Sequence, residues 1–177
     1  GPFIPSFFGS AFSAAPAKRL LPANAIGHGG GDEAAVVMAV DGRGRTVATV
    51  RLRGVDPYDP EALAPGLMPN GRPALFLGDI GDNRARRPDV SVFRFAEPRT
   101  LVDQTVAHTW WRFTYPDGPK DAEALLVDPR DGRIWITVST RLVPRALGYR
   151  KTCDDGFVIL IDDRGPRIVA DGLGYTN

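Results

Sequence analysis

Short apolar runs separated by turn residues dominate the pattern of hydrophobic and polar positions along this chain. Several runs alternate apolar with polar positions, and no segment keeps a helical period over about ten residues. Glycine and proline are spread between the runs, which is typical of an all-β protein with many turns. The pattern predicts strands over residues 35–40, 46–52, 74–78, 90–95, 105–114, 124–127, 134–140, 157–161 and 167–170.

Three of the connections share one turn pattern, in which an aspartate follows a strand and a glycine closes the turn. They are Asp41-Gly-Arg-Gly44, Asp128-Pro-Arg-Asp-Gly132 and Asp162-Asp-Arg-Gly165. An aspartate side chain accepts hydrogen bonds from the turn backbone, and glycine adopts the positive φ that such turns need. The sequence therefore predicts three antiparallel hairpins.

An internal repeat links two parts of the chain. Asp59-Pro-Glu61-Ala-Leu63 recurs as Asp121-Ala-Glu123-Ala-Leu125, and each copy leads to Gly-Arg and then an apolar strand. Repetition of strand, turn and strand at this spacing is typical of propellers, solenoids or arrays. We predict an all-β fold of antiparallel hairpins arranged as the blades of a partial or small propeller, with a sandwich as the alternative.

Length and composition divide the 177 residues into two parts. Residues 1–24 are rich in Phe, Ala, Ser and Pro and predict an extended N-terminal arm, and residues 25–177 form the propeller-like domain. At about 40–50 residues a blade, this domain is too short for a ring of the usual size and is expected to be incomplete. Unpaired edge strands would then favour association with a second copy or another subunit, with the arm in the contact.

Charge and cysteine content exclude several classes of protein. The net charge of +1 gives no reason to expect a nucleic-acid partner, and no apolar run reaches the ~18 residues of a membrane span. Arg84, Arg86 and Arg87 fall in one turn, where a solvated loop is favoured over a phosphate-binding patch.

Cys153 is the only cysteine, so an intrachain disulfide is excluded. No positively charged segment precedes the Phe-rich arm, so no signal peptide is visible.

Oxygen-bearing side chains gather at strand ends in the predicted fold: Asp59, Glu61, Asp79, Asp82, Asn83, Asp121, Glu123 and Asn177. Loops at one end of a propeller channel converge, and such oxygens suit Ca²⁺, which takes six to eight of them. The alternative is that they cap turns through backbone hydrogen bonds, which is favoured for Asp82 and Asn83. For the repeated Glu61 and Glu123 both readings stay open.

The metal hypothesis makes a geometric prediction. Glu61 and Glu123 hold equivalent positions in the repeat and should face one cation, with Asp121 beside them. Asp79 or Asn177 would complete the coordination shell. The histidines add no catalytic assignment, because His108 fits an alternating structural strand and His28 lies in the glycine-rich loop Gly27–Gly31. Catalytic residues are therefore not assigned.

Residues 36–138 resemble secreted bacterial β-propellers related to the phytase-like and esterase-like families. The segments that carry the resemblance are VDGRGRTVATVRLRGV, LFLGDIGDNRARRPDVSVFRF and YPDGPKDAEALLVDPRDGRIW. The chain departs from the family pattern at His28-Gly-Gly-Gly-Asp32 and at Ala62, where polar ligands are expected. The resemblance implies a propeller fold and a secreted protein.

Residues 133–177 are similar to the gluconolactonases, a family of six-bladed propellers related to senescence marker protein. The segments are RIWITVSTRLVPRALGYR and DGFVILIDDRGPRIVADGLGYTN. By this resemblance Asn177 corresponds to a metal ligand, whereas Lys120 stands where the family has a ligating asparagine. The resemblance implies a metal-dependent hydrolase acting on a small-molecule lactone or ester. The alternative is a non-catalytic propeller module that serves as a subunit or binding platform.

Overall fold

The structure, a computed structural model, describes residues 11–12, 19–23, 35–116, 118–145, 148–152, 156–162 and 165–173. These residues form strands and turns without any helix, which confirms the predicted all-β class. It follows that no helix in this described part is long and apolar enough to cross a membrane. The strands are β1 (Ala11–Phe12), β2 (Arg19–Ala23), β3 (Val36–Val40), β4 (Thr46–Leu52), β5 (Pro60–Leu67), β6 (Pro73–Asp79), β7 (Val90–Ala96), β8 (Gln104–Val106), β9 (His108–Phe113), β10 (Asp121–Val127), β11 (Ile134–Arg145), β12 (Gly148–Thr152), β13 (Gly156–Asp162) and β14 (Gly165–Leu173).

The strands form three sheets that follow one another along the chain. The first has the order β1-β2-β3-β4-β8, the second β5-β6-β7-β9, and the third β10-β11-β13-β14, with β12 on the far end of β11. The pairings are antiparallel apart from that of β4 with β8, which is parallel. Apart from β8 and β12, the strands of each sheet follow one another as an antiparallel meander, the connectivity of a propeller blade. The described residues do not form a closed ring.

Aspartate and glycine close the hairpins as predicted. The Oδ1 atom of Asp41 accepts hydrogen bonds from the backbone N–H groups of Arg43 (2.9 Å) and Arg45 (3.0 Å). Gly44 has φ +77° and Gly132, in the second hairpin, has φ +73°, which glycine adopts without steric cost. The third hairpin joins β13 to β14, but residues 163–164 at its tip lie outside the described residues.

The strand β6, in the interior of the second sheet, is buried on both faces, and this explains its nearly continuous apolar sequence. Leu75 and Leu77 pack in one core cluster with the first sheet. Phe76, between them in β6, packs in the other cluster with residues of the third sheet. Because successive side chains of a strand point to opposite faces, β6 contributes to both cores.

One predicted strand is divided in the structure. Residues 105–114 were predicted as one strand but form β8 and β9, which belong to different sheets, because the chain crosses from the first sheet to the second between them. Part of the predicted N-terminal arm, Arg19–Ala23, pairs with β3 and extends the first sheet. These strands do not test whether the arm contacts a partner.

Candidate functional site

Two pairs of carboxylates lie at the starts of β5 and β10, the first strands of the second and third sheets. Asp59 immediately precedes β5, and Glu61 is the second residue of that strand. Asp121 is the first residue of β10, and Glu123 is its third. The two strands contact each other, and alanines of both are buried in one shared core cluster. The two copies of the repeat are thus brought side by side. We call these four carboxylates the acidic cluster.

Crowding of like charges perturbs the protonation of this cluster. Burial, followed by the negative charges of Glu123 and Asp59, raises the pKa of Glu61 to about 8. Burial also raises the pKa of Asp59, which is opposed by hydrogen bonds from Glu61 and Asn83. Glu61 therefore holds a proton at neutral pH and shares it with Asp59. The cluster avoids carrying four full negative charges.

The backbone of Gly81 forms the floor under one side of the cluster. A Cβ atom at Gly81 would lie 2.6 Å from both Cγ and Oδ2 of Asp59, and 2.8 Å from Cγ of Glu61. Only a residue without a side chain lets these carboxylates approach the loop after β6. The next residues tighten the contact, since Asn83 Nδ2 donates a 3.2 Å hydrogen bond to Asp59 Oδ2.

Asp79, a predicted metal ligand, is engaged by an arginine. Its Oδ2 accepts a 2.8 Å bond from Arg87 Nη2, and its Oδ1 accepts a 3.1 Å bond from Arg87 Nη1. Oδ1 also accepts the backbone N–H groups of Tyr58 (3.1 Å) and Asp59 (2.7 Å). Both side chains of the pair are largely buried. Asp79 thereby fixes the backbone at the start of β5, where the acidic cluster begins.

Asp82 connects the same loop to β10. Its backbone N–H donates a 2.7 Å hydrogen bond to Oδ1 of Asp121, and its Oδ2 accepts a 2.7 Å bond from the backbone N–H of Arg87. Capping, the role favoured from sequence, is thus what this carboxylate does. Its other oxygen, Oδ1, is buried and has no hydrogen-bond partner among the described residues. The backbone of the loop is thereby held against Asp121, the first residue of β10.

Other predicted site residues fall outside this arrangement. Asn177, His28 and Cys153 lie outside the described residues. His108 lies in β9, where burial lowers its pKa and its ring contacts the edge of Phe93, which fits the structural role expected of it. Within the described residues, no group of three or more Asp, Glu, His or Cys side chains is arranged so that it could hold a metal ion.

Arg87 is the functional residue that the sequence reasoning missed. Arg84 and Arg86 are exposed, as expected of a solvated loop, but the side chain of Arg87 is only 9% exposed because it pairs with Asp79. The available signal was the spacing of eight residues between the carboxylate and the arginine across one loop. That signal is weak, because three arginines stand within four positions and only the fold selects one.

Comparison with known proteins does not assign the chain to a family. No protein-family model matches it. A search of the curated proteins likewise gave no match. The function proposed for the chain therefore rests on the geometry of the acidic cluster and on sequence resemblances that neither comparison supports.

Proposed function

We propose that the acidic cluster binds a divalent cation, Ca²⁺ by preference, and that the chain is a metal-dependent hydrolase acting on a lactone or ester. The observation that carries the proposal is the convergence of four carboxylates at the starts of two contacting strands, where burial and like charges raise the pKa of Glu61 to about 8. Four like charges crowded onto two contacting strands cannot all be ionised without cost, so the cluster retains a proton. A divalent cation would relieve the same repulsion, and would release that proton when it binds.

The donors of the acidic cluster are of the type that a hard cation prefers, and their side chains would have to move closer together to coordinate it. Carboxylate oxygens of Glu61, Asp121 and Glu123, with Asp59 added by the geometry, are ligands that Ca²⁺ prefers. The glycine floor at Gly81 and the unpartnered Oδ1 of Asp82 support a site that can take up positive charge. Asp79, with its oxygens bonded to Arg87, is proposed to support the site rather than to ligate the ion.

The choice of a hydrolase rests on the sequence resemblance to gluconolactonases and on the protonation of the cluster. A bound Ca²⁺ would supply polarisation of a lactone or ester carbonyl. Once Ca²⁺ has displaced the proton of Glu61, a neighbouring carboxylate such as Asp59, whose pKa burial also raises, would accept a proton from the attacking water. The region between β5 and β10 is where we expect the substrate to bind.

Calcium-dependent stability and hydrolysis test the two parts of the proposal separately. We expect CaCl₂ to raise the melting temperature of the wild type by mass action and to leave that of Glu123→Gln unchanged. Hydrolysis of glucono-δ-lactone and p-nitrophenyl acetate should then require Ca²⁺ and stop in EDTA. Stabilisation by Ca²⁺ without hydrolysis would support the cation site and refute the proposed hydrolase activity. Absence of stabilisation by any divalent cation would refute both.

The second candidate function is a non-catalytic module that acts as a subunit or binding platform. It is favoured by β9, which is an edge strand of the second sheet among the described residues and exposes 49% of Trp110 and 38% of Trp111. Exposed aromatic side chains on a sheet edge are typical of contact surfaces. Sedimentation across a hundredfold range of concentration would detect self-association.

A further inference from the structure

An open cleft of about 350 Å³ lies between the loop that follows β4 and one face of the second sheet. The loop contributes Asp56 and Tyr58, and the sheet contributes Ser91 of β7 with His108 and Trp110 of β9. This volume is at the small end of the range for ligand sites. The acidic cluster does not line this cleft, although the Asp79–Arg87 ion pair stands between the two regions.

Two aromatic side chains form exposed walls of the cleft. Tyr58 is 63% exposed and Trp110 is 49% exposed. The guanidinium of Arg87 lies 4.7 Å from the centre of the Tyr58 ring, so it covers one face and leaves the other open. Phe93 stacks on Trp110 with ring centres 6.1 Å apart and holds the indole in position. The aromatic surfaces are therefore fixed without being buried.

The polar groups between these walls are nearly balanced in charge. Arg87 neutralises Asp79, and Arg112 lies 3.4 Å from Asp89. Burial lowers the pKa of His108, which is therefore neutral at pH 7. Asp56 then leaves the lining with one net negative charge. Anionic ligands are disfavoured by this charge, and cationic ligands would be repelled by the guanidinium groups that lie over one face of each ring, Arg87 on Tyr58 and Arg112 on Trp110. A neutral ligand can still reach the exposed surfaces of both rings.

We propose that this cleft binds a neutral saccharide, with a sugar ring against the open face of Tyr58 and the exposed side of Trp110, and with its hydroxyl groups bonded to the polar lining. A sugar ring presents weakly positive C–H groups on its face, and these are attracted to the negative face of an aromatic ring. Its hydroxyls both donate and accept hydrogen bonds. Asp56 and Asp89 offer acceptors, and Ser91 and His108 offer groups of both kinds. This inference does not depend on the proposed cation site.

The test uses the whole chain and a matched pair of tryptophans. An array of immobilised neutral, amino-substituted and anionic oligosaccharides identifies a bound glycan, and calorimetry measures its affinity. Trp110→Ala and Tyr58→Ala should each weaken binding about tenfold or more, the loss of one aromatic contact. Trp111→Ala is the control, because it removes the neighbouring tryptophan from the opposite face of the same strand and should leave binding unchanged.

Each outcome decides the proposal. Binding of a neutral glycan that is lost in Trp110→Ala and Tyr58→Ala, but kept in Trp111→Ala, supports it. If Trp110→Ala does not fold, as judged by its melting temperature, the exposed-loop variants Tyr58→Ala and Asp56→Asn replace it. Failure of every neutral glycan to bind at millimolar concentration overturns the proposal. So does binding of anionic glycans alone, or equal loss of binding in Trp110→Ala and Trp111→Ala.

Discussion

Replacing Glu61 by Gln should make the protein more stable at alkaline pH and change the way its stability depends on pH. The folded state raises the pKa of Glu61 from 4.5 to about 8 through burial and the charges of Glu123 and Asp59. The folded protein therefore binds a proton between these pH values that the unfolded chain has released. Stability from this group is present in full below pH 4.5 and is lost as the pH rises through 8.

The magnitude follows from the size of the pKa change. At 1.36 kcal/mol for each pKa unit, the rise from 4.5 to about 8 has an upper bound of about 5 kcal/mol. The side chain is only half-buried, so solvent screens much of the repulsion, and we expect a loss of about 1–2 kcal/mol between pH 5 and pH 9. Gln cannot ionise, and its amide can donate the hydrogen bond to Asp59 that the protonated acid donates.

Urea unfolding without divalent cations, at several values between pH 5 and pH 9, measures this effect. We expect equal free energies of unfolding for the wild type and Glu61→Gln near pH 5, and a more stable variant at pH 9. Glu97→Gln, at a carboxyl group outside the cluster, is the control and should show the pH dependence of the wild type. A difference between wild type and Glu61→Gln that stays constant with pH would refute the crowding of charges at this site.

Two further substitutions test the loop that supports the cluster. Gly81→Ala should destabilise the protein by about 1–3 kcal/mol in urea, because its Cβ would lie 2.6 Å from cluster atoms, whereas Gly42→Ala has open space and serves as control. Arg87→Met should lower the free energy of unfolding by about 3–5 kcal/mol, because it leaves Asp79 buried without its cation. Arg45→Met removes an ion pair whose arginine side chain is 70% exposed, and it should lower the free energy of unfolding by less than about 1 kcal/mol. Equal losses in Arg87→Met and Arg45→Met would contradict the buried ion pair, and an unchanged Gly81→Ala would contradict the close approach.

The hairpins could be predicted from sequence because local chemistry determines them. Aspartate caps and glycines at positive φ specify the turns at Asp41–Gly44 and Asp128–Gly132 without help from the rest of the fold. The strand β5 is different, because Pro60, Pro65 and Gly66 interrupt its alternation, and only the repeat indicated a strand there. Proline is accepted because β5 is the edge of its sheet, which is a tertiary fact that the local sequence does not contain.

The candidate site was predictable in its residue types but not in their roles. The repeat indicated that Glu61 and Glu123 hold equivalent positions, and the structure brings their charges within reach of each other. The sequence could not show that Asp79 pairs with Arg87, because the choice among the neighbouring arginines depends on how the loop folds. The break at Ala107 between β8 and β9 was hidden for a similar reason, since both halves have strand-forming sequences and differ only in which sheet they join.

Proton release on calcium binding tests the proposed cation site most directly. Calorimetric titration of the wild type with CaCl₂ at pH 7, repeated in buffers of different ionisation enthalpy, gives the number of protons released. With the pKa of Glu61 at about 8, the displaced proton should amount to about 0.9 per bound ion. Glu61→Gln should release almost none, and Glu123→Gln should not bind the ion. Absence of Ca²⁺ binding at millimolar concentration, or binding without proton release that survives Glu123→Gln, would contradict the cation site.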